Sequence, residues 1–253
     1  MSASTTSGAA RLAELLGSAG RVVALTGAGI SVPSGIPDFR SPGTGLWANV
    51  DPMEVAHIEV FMRDPERFWQ FYGRRFAALR GKRPNGAHAA LVELERRGIV
   101  EAVVTQNIDG LHRLAGTRDL IEVHGTIGTS SCSRCGVRVE LPEVRELLEA
   151  AADGVPRCGC GAALKPDVVL FGELLPESAL ARASALAAQA DVLLCVGSSL
   201  EVYPVAQLPQ ITLAAGGAVA LVTKGPTPYD EDAAVKLDGD VVEELSAVVA
   251  ALG

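Results

Sequence analysis

Four cysteines stand in two tight pairs, Cys132-x-x-Cys135 and, 22 residues later, Cys158-x-Cys160. Gly136, Gly159 and Gly161 beside them ease narrow turns. Four thiolates on two turns match a tetrahedral zinc ion with every ligand position filled, which makes the metal structural. The second pair is one residue short of the usual C-x-x-C, which strains the geometry or shifts one ligand. Spare thiols and a redox pair are the other readings. Cys195 lies inside an apolar run and reads as core. A second chemical cluster is Thr105-Gln106-Asn107-Ile108-Asp109-Gly110, just past the apolar run 100–105. In open parallel sheets ligands bind in the crevice outside such strand ends. The amides can fix hydroxyls or another amide, and Asp109 can accept from a carboxamide or a ribose. The plainer reading is a turn with Asp109 as a helix cap. Glu122-Val123-His124-Gly125 adds an imidazole whose ordinary pKa suits a general base, although a lone histidine is often structural.

A third cluster follows the first strand. Gly27-Ala28-Gly29 permits a tight turn and close backbone approach to a pyrophosphate, with a helix N-terminus as donor. Val32 stands where the third glycine of the dinucleotide fingerprint belongs, and no acidic residue ends a second strand about 20 residues on, as a ribose ligand would. The turn is therefore a nucleotide site of non-standard type or only a turn. The segment 35–42 places Asp38, Phe39 and Arg40 among chain breakers. It reads as a surface loop, or as a lid bringing a ring and a cation over a nucleotide.

The elements that must carry these residues alternate. Short apolar runs at 22–25, 100–105, 168–171, 192–196 and 218–222 predict buried strands. Helical spacing covers 9–19, 88–97, 178–189, 205–215 and 241–252. This is an α/β pattern, a parallel sheet covered on both faces. The aromatic-rich stretch 41–85 and the cysteine stretch 128–165 break the rhythm and predict a second, smaller lobe. A chain of 253 residues with 48% hydrophobic content can bury a core without disulfides. Its net charge of −8 argues against a general nucleic-acid binder and permits a basic partner such as a lysine-rich peptide. Residues 1–10 carry no basic and apolar targeting pattern, and the longest uncharged stretch, 202–223, is interrupted by Pro204, Pro209, Gly216 and Gly217. An odd number of cysteines, four of them closely paired, suits a reducing compartment, so a cytoplasmic protein is expected.

Taken in order, these motifs resemble the sirtuins, the NAD-dependent protein deacylases. The resemblance is carried by 27–31, Gly35-Ile36-Pro37-Asp38-Phe39-Arg40, Thr105 to His112, Glu122 to Gly125, the cysteine pairs, Lys165 to Glu173, and Val196 to Pro204, and it spans about 8–252. It implies a Rossmann-like large domain (1–41, 86–127 and 165–253) and a small domain made of a helical module (42–85) and a zinc module (128–164). NAD and an acyl-lysine peptide would meet between them. Gly27, Ala28, Gly29, Ser31, Phe39 and Arg40 would hold NAD from the first loop. Gln106, Asn107, Ile108 and Asp109 would line the nicotinamide and ribose pocket. Gly197, Ser198 and Ser199 would take the other ribose and the phosphates, with Thr223, Lys224 and Val241 at the adenosine end. Val169, Phe171, Gly172 and Val202 would flank the peptide as strands, adding it by backbone hydrogen bonds. His124 would be the general base beside Asn107 and Asp109. NAD would be consumed, giving nicotinamide, free lysine and O-acyl-ADP-ribose. One structural zinc is implied at Cys132, Cys135, Cys158 and Cys160.

Two departures stand out: Thr223-Lys224-Gly225 where the family commonly has Asn, and the short C-x-C pair. Ala56, Tyr72 and Arg75 resemble the desuccinylase and demalonylase branch, in which Tyr and Arg bind an acyl carboxylate. Tyr72 and Arg75 share a helix face, and an arginine can clamp a carboxylate with two parallel bonds. A solvated arginine is the alternative, and acetyl, succinyl and malonyl groups all stay open. Mono-ADP-ribosyl transfer and a zinc-containing NAD-binding module without turnover are the rival functions.

Overall fold

The computed structural model describes residues 2–38, 45 and 50–253. The expected NAD contacts Phe39 and Arg40 lie outside the described residues. In chain order the first elements are α1 (Ser2–Ser18), β1 (Val22–Thr26), α2 (Pro52–Val55), α3 (Ile58–Arg63), α4 (Pro65–Ala78) and α5 (Gly86–Arg96). Next come β2 (Val100–Thr105), α6 (Leu111–Ala115), β3 (Leu120–Glu122), β4 (Gly125–Cys132), β5 (Arg138–Glu140), α7 (Leu141–Ala150) and β6 (Leu164–Val168). The chain closes with α8 (Glu177–Gln189), β7 (Val192–Val196), α9 (Leu208–Ala214), β8 (Ala218–Val222), β9 (Ala233–Leu237) and α10 (Val241–Ala251).

Six strands form one parallel sheet in the order β3-β2-β1-β7-β8-β9. Successive side chains of a strand face opposite sides. On β1, Val22 and Ala24 pack with Leu12, Leu16, Leu91 and Leu245 of α1, α5 and α10, while Val23 and Leu25 pack with Ala183, Ala187 and Leu208 toward α8 and α9. This two-sided burial explains why β1, β7 and β8 are written almost entirely in apolar residues. The architecture is Rossmann-like. The strand order reverses between β1 and β7, and the crevice of such sheets lies at that switch point.

A second sheet, β5-β4-β6, is antiparallel. Here the structure corrects two expectations. Residues 168–171 are not a strand of the parallel sheet: β6 ends at Val168, belongs to the small sheet and straddles residue 165, the expected start of the last large-domain segment. Its alternating burial and its Pro166 suit an edge strand, where the missing N–H costs no ladder bond. Residues 201–203 form no strand either; they are a turn entering a short 3₁₀ segment, Val205–Gln207. The helix expected over 205–215 is accordingly split, with α9 starting beside Pro209, whose fixed φ suits a first turn.

The aromatic stretch and the cysteine stretch pack into one core. Phe61, Phe68, Trp69, Tyr72 and Phe76 share a buried cluster with Cys132, Val139, Val144, Cys158 and Leu164. The Trp69 indole N–H donates to the Leu164 carbonyl at 3.0 Å. Among the described residues no helix is long and apolar enough to cross a membrane.

Candidate active site and metal centre

The turns after β1 and β7 meet at the switch point with almost no space between them. Gly27 N–H donates to Val196 O at 3.0 Å, and Gly29 N–H donates to Gly197 O at 2.8 Å. Gly197 has φ +61°, and a Cβ there would lie 2.2 Å from Ile30 N. Only glycine allows both the left-handed backbone and the approach. Gly197→Ala should therefore push the two turns apart, lowering stability by about 2 kcal/mol or more and weakening dinucleotide binding. A thermal melt and a titration with NAD would check it. The segment after Gly27 is a 3₁₀ helix, Ala28–Ser34, containing Pro33, instead of the α-helix that the dinucleotide fingerprint would start.

Past this junction opens a cleft of about 890 Å³. It brings together Gly27, Ala28 and Gly29 from the first turn, and Gln106, Asn107, Ile108 and His124 from the ends of β2 and β3. Gly197, Ser198, Ser199, Thr223, Lys224 and Val241 line its other end. Tyr72, Arg75, Val169, Phe171, Gly172 and Val202 line it from the side of the small sheet. Ser31 and Asp109 are joined to the wall by hydrogen bonds. Asn107 Nδ2 donates to Gly27 O at 3.0 Å and to Ser31 Oγ at 3.3 Å, and Ser31 Oγ donates to Asp109 Oδ2 at 2.7 Å. The other carboxylate oxygen of Asp109 accepts from Leu111 N–H at 2.9 Å, so the helix-capping reading holds alongside the site reading. Gln106 Nε2 donates to Ser198 Oγ at 3.0 Å and ties the two halves of the sheet edge together.

His124 Nδ1 lies 3.0 Å from the Gln106 carbonyl. A carbonyl only accepts, so Nδ1 carries the hydrogen and Nε2 keeps its lone pair. Burial lowers the imidazole below its usual range, partly opposed by that hydrogen bond. The result is a neutral histidine in a fixed tautomer, the form a general base needs.

The opposite wall is built by α4. Tyr72 stacks on Phe68, ring centroids 4.4 Å apart, and burial pushes its hydroxyl up to about 12. Arg75 lies one turn on, its proton affinity lowered by burial and supported by Tyr72 and Asp109. Ala56 lines the cleft beside them. The Phe171 segment is pinned between the two walls. Phe171 N–H donates to Ala56 O at 3.0 Å, Ile58 N–H to Phe171 O at 2.9 Å, and Val169 N–H to His124 O at 2.9 Å. Phe171, Leu174 and Tyr203 leave an exposed apolar lip.

The four cysteine sulfurs of the C-x-x-C and C-x-C pairs lie within 4.8 Å of one another. Individual separations are 3.2 Å for Cys132–Cys158, 3.4 Å for Cys132–Cys160, 3.7 Å for Cys135–Cys158 and 2.9 Å for Cys158–Cys160. Sulfurs placed about 2.3 Å from a central zinc in a tetrahedron stand about 3.8 Å apart, so the cluster is compatible with one structural zinc. Backbone N–H groups already face the sulfurs: Arg134 and Cys135 donate to Cys132 Sγ, and Cys160 to Cys158 Sγ. The short pair is accommodated by a turn in which Gly161 N–H donates to Cys158 O at 2.8 Å, with Gly161 at φ +84°. Cys195 is apart from the cluster, fully buried in β7, its thiol pushed up by burial.

Residues 27–204 match the Sir2 family pattern. The chain belongs to the Sir2 family. It is 47% identical over 223 residues to an NAD-dependent protein deacetylase of Sulfolobus acidocaldarius, a match covering 88% of this chain and 86% of that one. It is 45% identical over 239 residues to an NAD-dependent protein deacylase of Pyrococcus abyssi, covering 94% and 95%. A solved Sir2 histidine-to-alanine variant with a deacetylated p53 peptide and 3′-O-acetyl ADP-ribose superposes with a TM-score of 0.90 at 41% identity, covering 94% and 96%. A Sir2 protein bound to a propionylated peptide gives a TM-score of 0.86 at 40% identity, covering 96% and 98%.

Asp240 and Glu173 also shape this Sir2 site, although the sequence assigns neither a role of its own. Asp240 lines the far end of the cleft, caps α10 through Val242 N–H and stands 4.0 Å from Lys224 Nζ. Glu173 fixes the Phe171 segment by accepting from Leu170 N–H at 2.9 Å and pairing with Lys165 at 2.9 Å. Asp240 immediately precedes a helical run, an N-cap signal that could have found it. Glu173 closes the Lys165 to Glu173 motif, but nothing in the spacing shows its bonds to Leu170 and Lys165.

Proposed function

We propose that this protein is an NAD-dependent protein lysine deacylase, and that His124 is its general base. The observation that carries the assignment is the neutral, tautomer-fixed His124 on the wall of a cleft that also holds the Asn107–Ser31–Asp109 network. Bound NAD would supply the ribose carbon that accepts the acyl oxygen and the nicotinamide that leaves. Gly27, Ala28, Gly29, Ser31, Gly197, Ser198 and Ser199 would hold it across the switch point, with Thr223, Lys224 and Val241 at the adenosine end. Gln106, Asn107, Ile108 and Asp109 would orient the nicotinamide and its ribose. His124 Nε2 would take a proton from a ribose hydroxyl, making that oxygen the nucleophile toward the acyl carbon. Water then completes release of free lysine and O-acyl-ADP-ribose. Val169, Phe171, Gly172 and Val202 would receive the peptide, the first three through a segment already held by backbone hydrogen bonds. The large and small domains are assigned the boundaries given by the resemblance, except that the whole of β6 goes with the small sheet in which it pairs. The reduced thiol cluster supports a cytoplasmic location.

Ala56, Tyr72 and Arg75 on one wall favour acidic acyl groups as substrates in addition to acetyl. A guanidinium in a part-buried pocket can hold a carboxylate by paired charge-assisted bonds. Mass spectrometry of one lysine peptide in acetyl, succinyl and malonyl forms, with and without NAD, tests the reading. NAD-dependent loss of acyl groups is expected. Release of nicotinamide with every acyl group left in place would move the assignment to ADP-ribosyl transfer. Arg75→Met should lower succinyl and malonyl removal by about 10- to 100-fold, the worth of a charged hydrogen bond, and change acetyl removal far less. Equal loss on all three substrates would make Arg75 a structural residue.

A further inference from the structure

The ends of the four central strands differ in a way the packing does not require. In register, the last residues of β2, β1, β7 and β8 are Thr105, Thr26, Val196 and Val222. All four are buried. Valine has the shape of threonine and suits such positions without a polar group to satisfy. The hydroxyls stand only on the two strands that lead into the Gly27 turn and into Asn107.

Those hydroxyls form a chain. Thr26 Oγ1 donates to Thr105 Oγ1 at 2.8 Å, and Asn107 N–H donates to the same Thr105 oxygen at 3.1 Å. His112 Nε2 lies 2.9 Å from Thr26 Oγ1. The Thr26 hydrogen is committed to Thr105, so His112 Nε2 is the donor and its Nδ1 is left as a bare acceptor. Nδ1 has no partner. His88 is complementary: its Nδ1 accepts from Asn85 N–H at 3.4 Å, and its Nε2 is the unpartnered nitrogen. The two rings lie 4.8 Å apart. Burial lowers both, His112 to about 3, so the pair stays neutral through the physiological range.

We propose that His112, Thr26 and Thr105 are positioning residues that set the orientation of Asn107 in the nicotinamide pocket. This rests on the deacylase reading above. Asn107 is held at its backbone N–H by Thr105 and at its side chain by Gly27 O and Ser31 Oγ. Removing the first hold frees the peptide unit that carries the amide and leaves a buried N–H without an acceptor. The side-chain bonds to Gly27 and Ser31 then no longer define one geometry, and through Ser31 the same slack reaches Asp109.

Thr105→Val deletes the hydroxyl and keeps the shape. It is expected to lower kcat for NAD-dependent deacylation about tenfold, the cost of stranding one buried donor, with KM for the acylated peptide within about twofold. Thr105→Ser, which restores only the hydroxyl, should recover most of kcat. Thr26→Val and Thr26→Ser repeat the comparison from the other strand, should a Thr105 variant fail to fold. A purely structural role would lower the melting temperature without this kcat-against-KM split and without rescue by serine. Wild-type kcat in the valine variants, or serine variants as slow as valine ones, would overturn the inference while leaving the deacylase assignment standing. A wild-type protein that neither releases nicotinamide nor removes an acyl group would overturn both.

Discussion

His124→Ala should lower turnover about a thousandfold, the contribution of a well-placed general base, or about 4 kcal/mol of barrier. Binding of NAD and peptide should change only a few-fold, because the ring lies on the cleft wall and, among the described residues, anchors no backbone turn beyond its bond to Gln106 O. The pH profile gives an independent check. A base works only when neutral, so activity is present above the folded pKa of His124 and lost as pH falls through it. Burial lowers that pKa, so the acid limb of kcat should fall below the ordinary imidazole value of about 6.5. An acid limb at or above that value would mean that another group controls it. Full turnover in His124→Ala would remove the general-base role altogether.

The strands of the parallel sheet were legible because they are buried on both faces. Such strands must be written as continuous apolar runs, and β1, β7 and β8 match those runs to within a residue. β9 was not legible. It is an edge strand, Ala-Ala-Val-Lys-Leu, with Lys236 reaching out to Asp230, and only Val235 and Leu237 of its five residues are buried. The small sheet was hidden for a related reason. β4 reads Gly-Thr-Ile-Gly-Thr-Ser-Ser-Cys, and its place is set by aromatic rings from α3 and α4 and by the cysteine cluster more than by its own hydrophobicity. At the site, residue types at strand ends pointed to Gln106, Asn107, Asp109 and His124, since amides and carboxylates just past buried strands face the ligand crevice. The Ser31–Asp109 bond spans 78 residues of sequence and the Gln106–Ser198 bond 92. No spacing rule reaches that far. Those contacts follow from β1 lying between β2 and β7, a fact of topology. The positioning part of His112 and Thr26 is not legible, because a histidine on a short helix and a threonine ending a strand each have an ordinary structural explanation.

Stripping zinc from the cysteine cluster should abolish activity, although the metal centre is no part of the cleft. The link is β4. It begins at Gly125, the residue after His124, and ends at Cys132, so one strand joins the proposed general base to a sulfur of the proposed zinc cluster. Its partner β6 runs from Leu164, beside the second cysteine pair, to Val168, and Val169 N–H donates to His124 O. Cys132 and Cys158 also sit inside the aromatic core that carries Tyr72. Structural zinc contributes on the order of 10 kcal/mol to the fold it holds, comparable with the whole stability of a typical domain. Without it, four converging sulfurs cannot all remain thiolates, and the two turns are left with the bonds of Ser133 to Ala163 O and of Arg134 to Cys160 O. Cys135→Ala is therefore expected to lose close to one zinc per chain, to melt the small sheet well below the wild type, and to lose deacylation by more than a hundredfold. Cys195→Ala is the control. It removes a thiol that is buried in β7 and outside the cluster, and it should keep the zinc. Metal content by mass spectrometry, thermal melts and turnover would be measured on the same samples. A zinc-free protein that keeps its melting temperature and its turnover would show that the aromatic core alone positions β4.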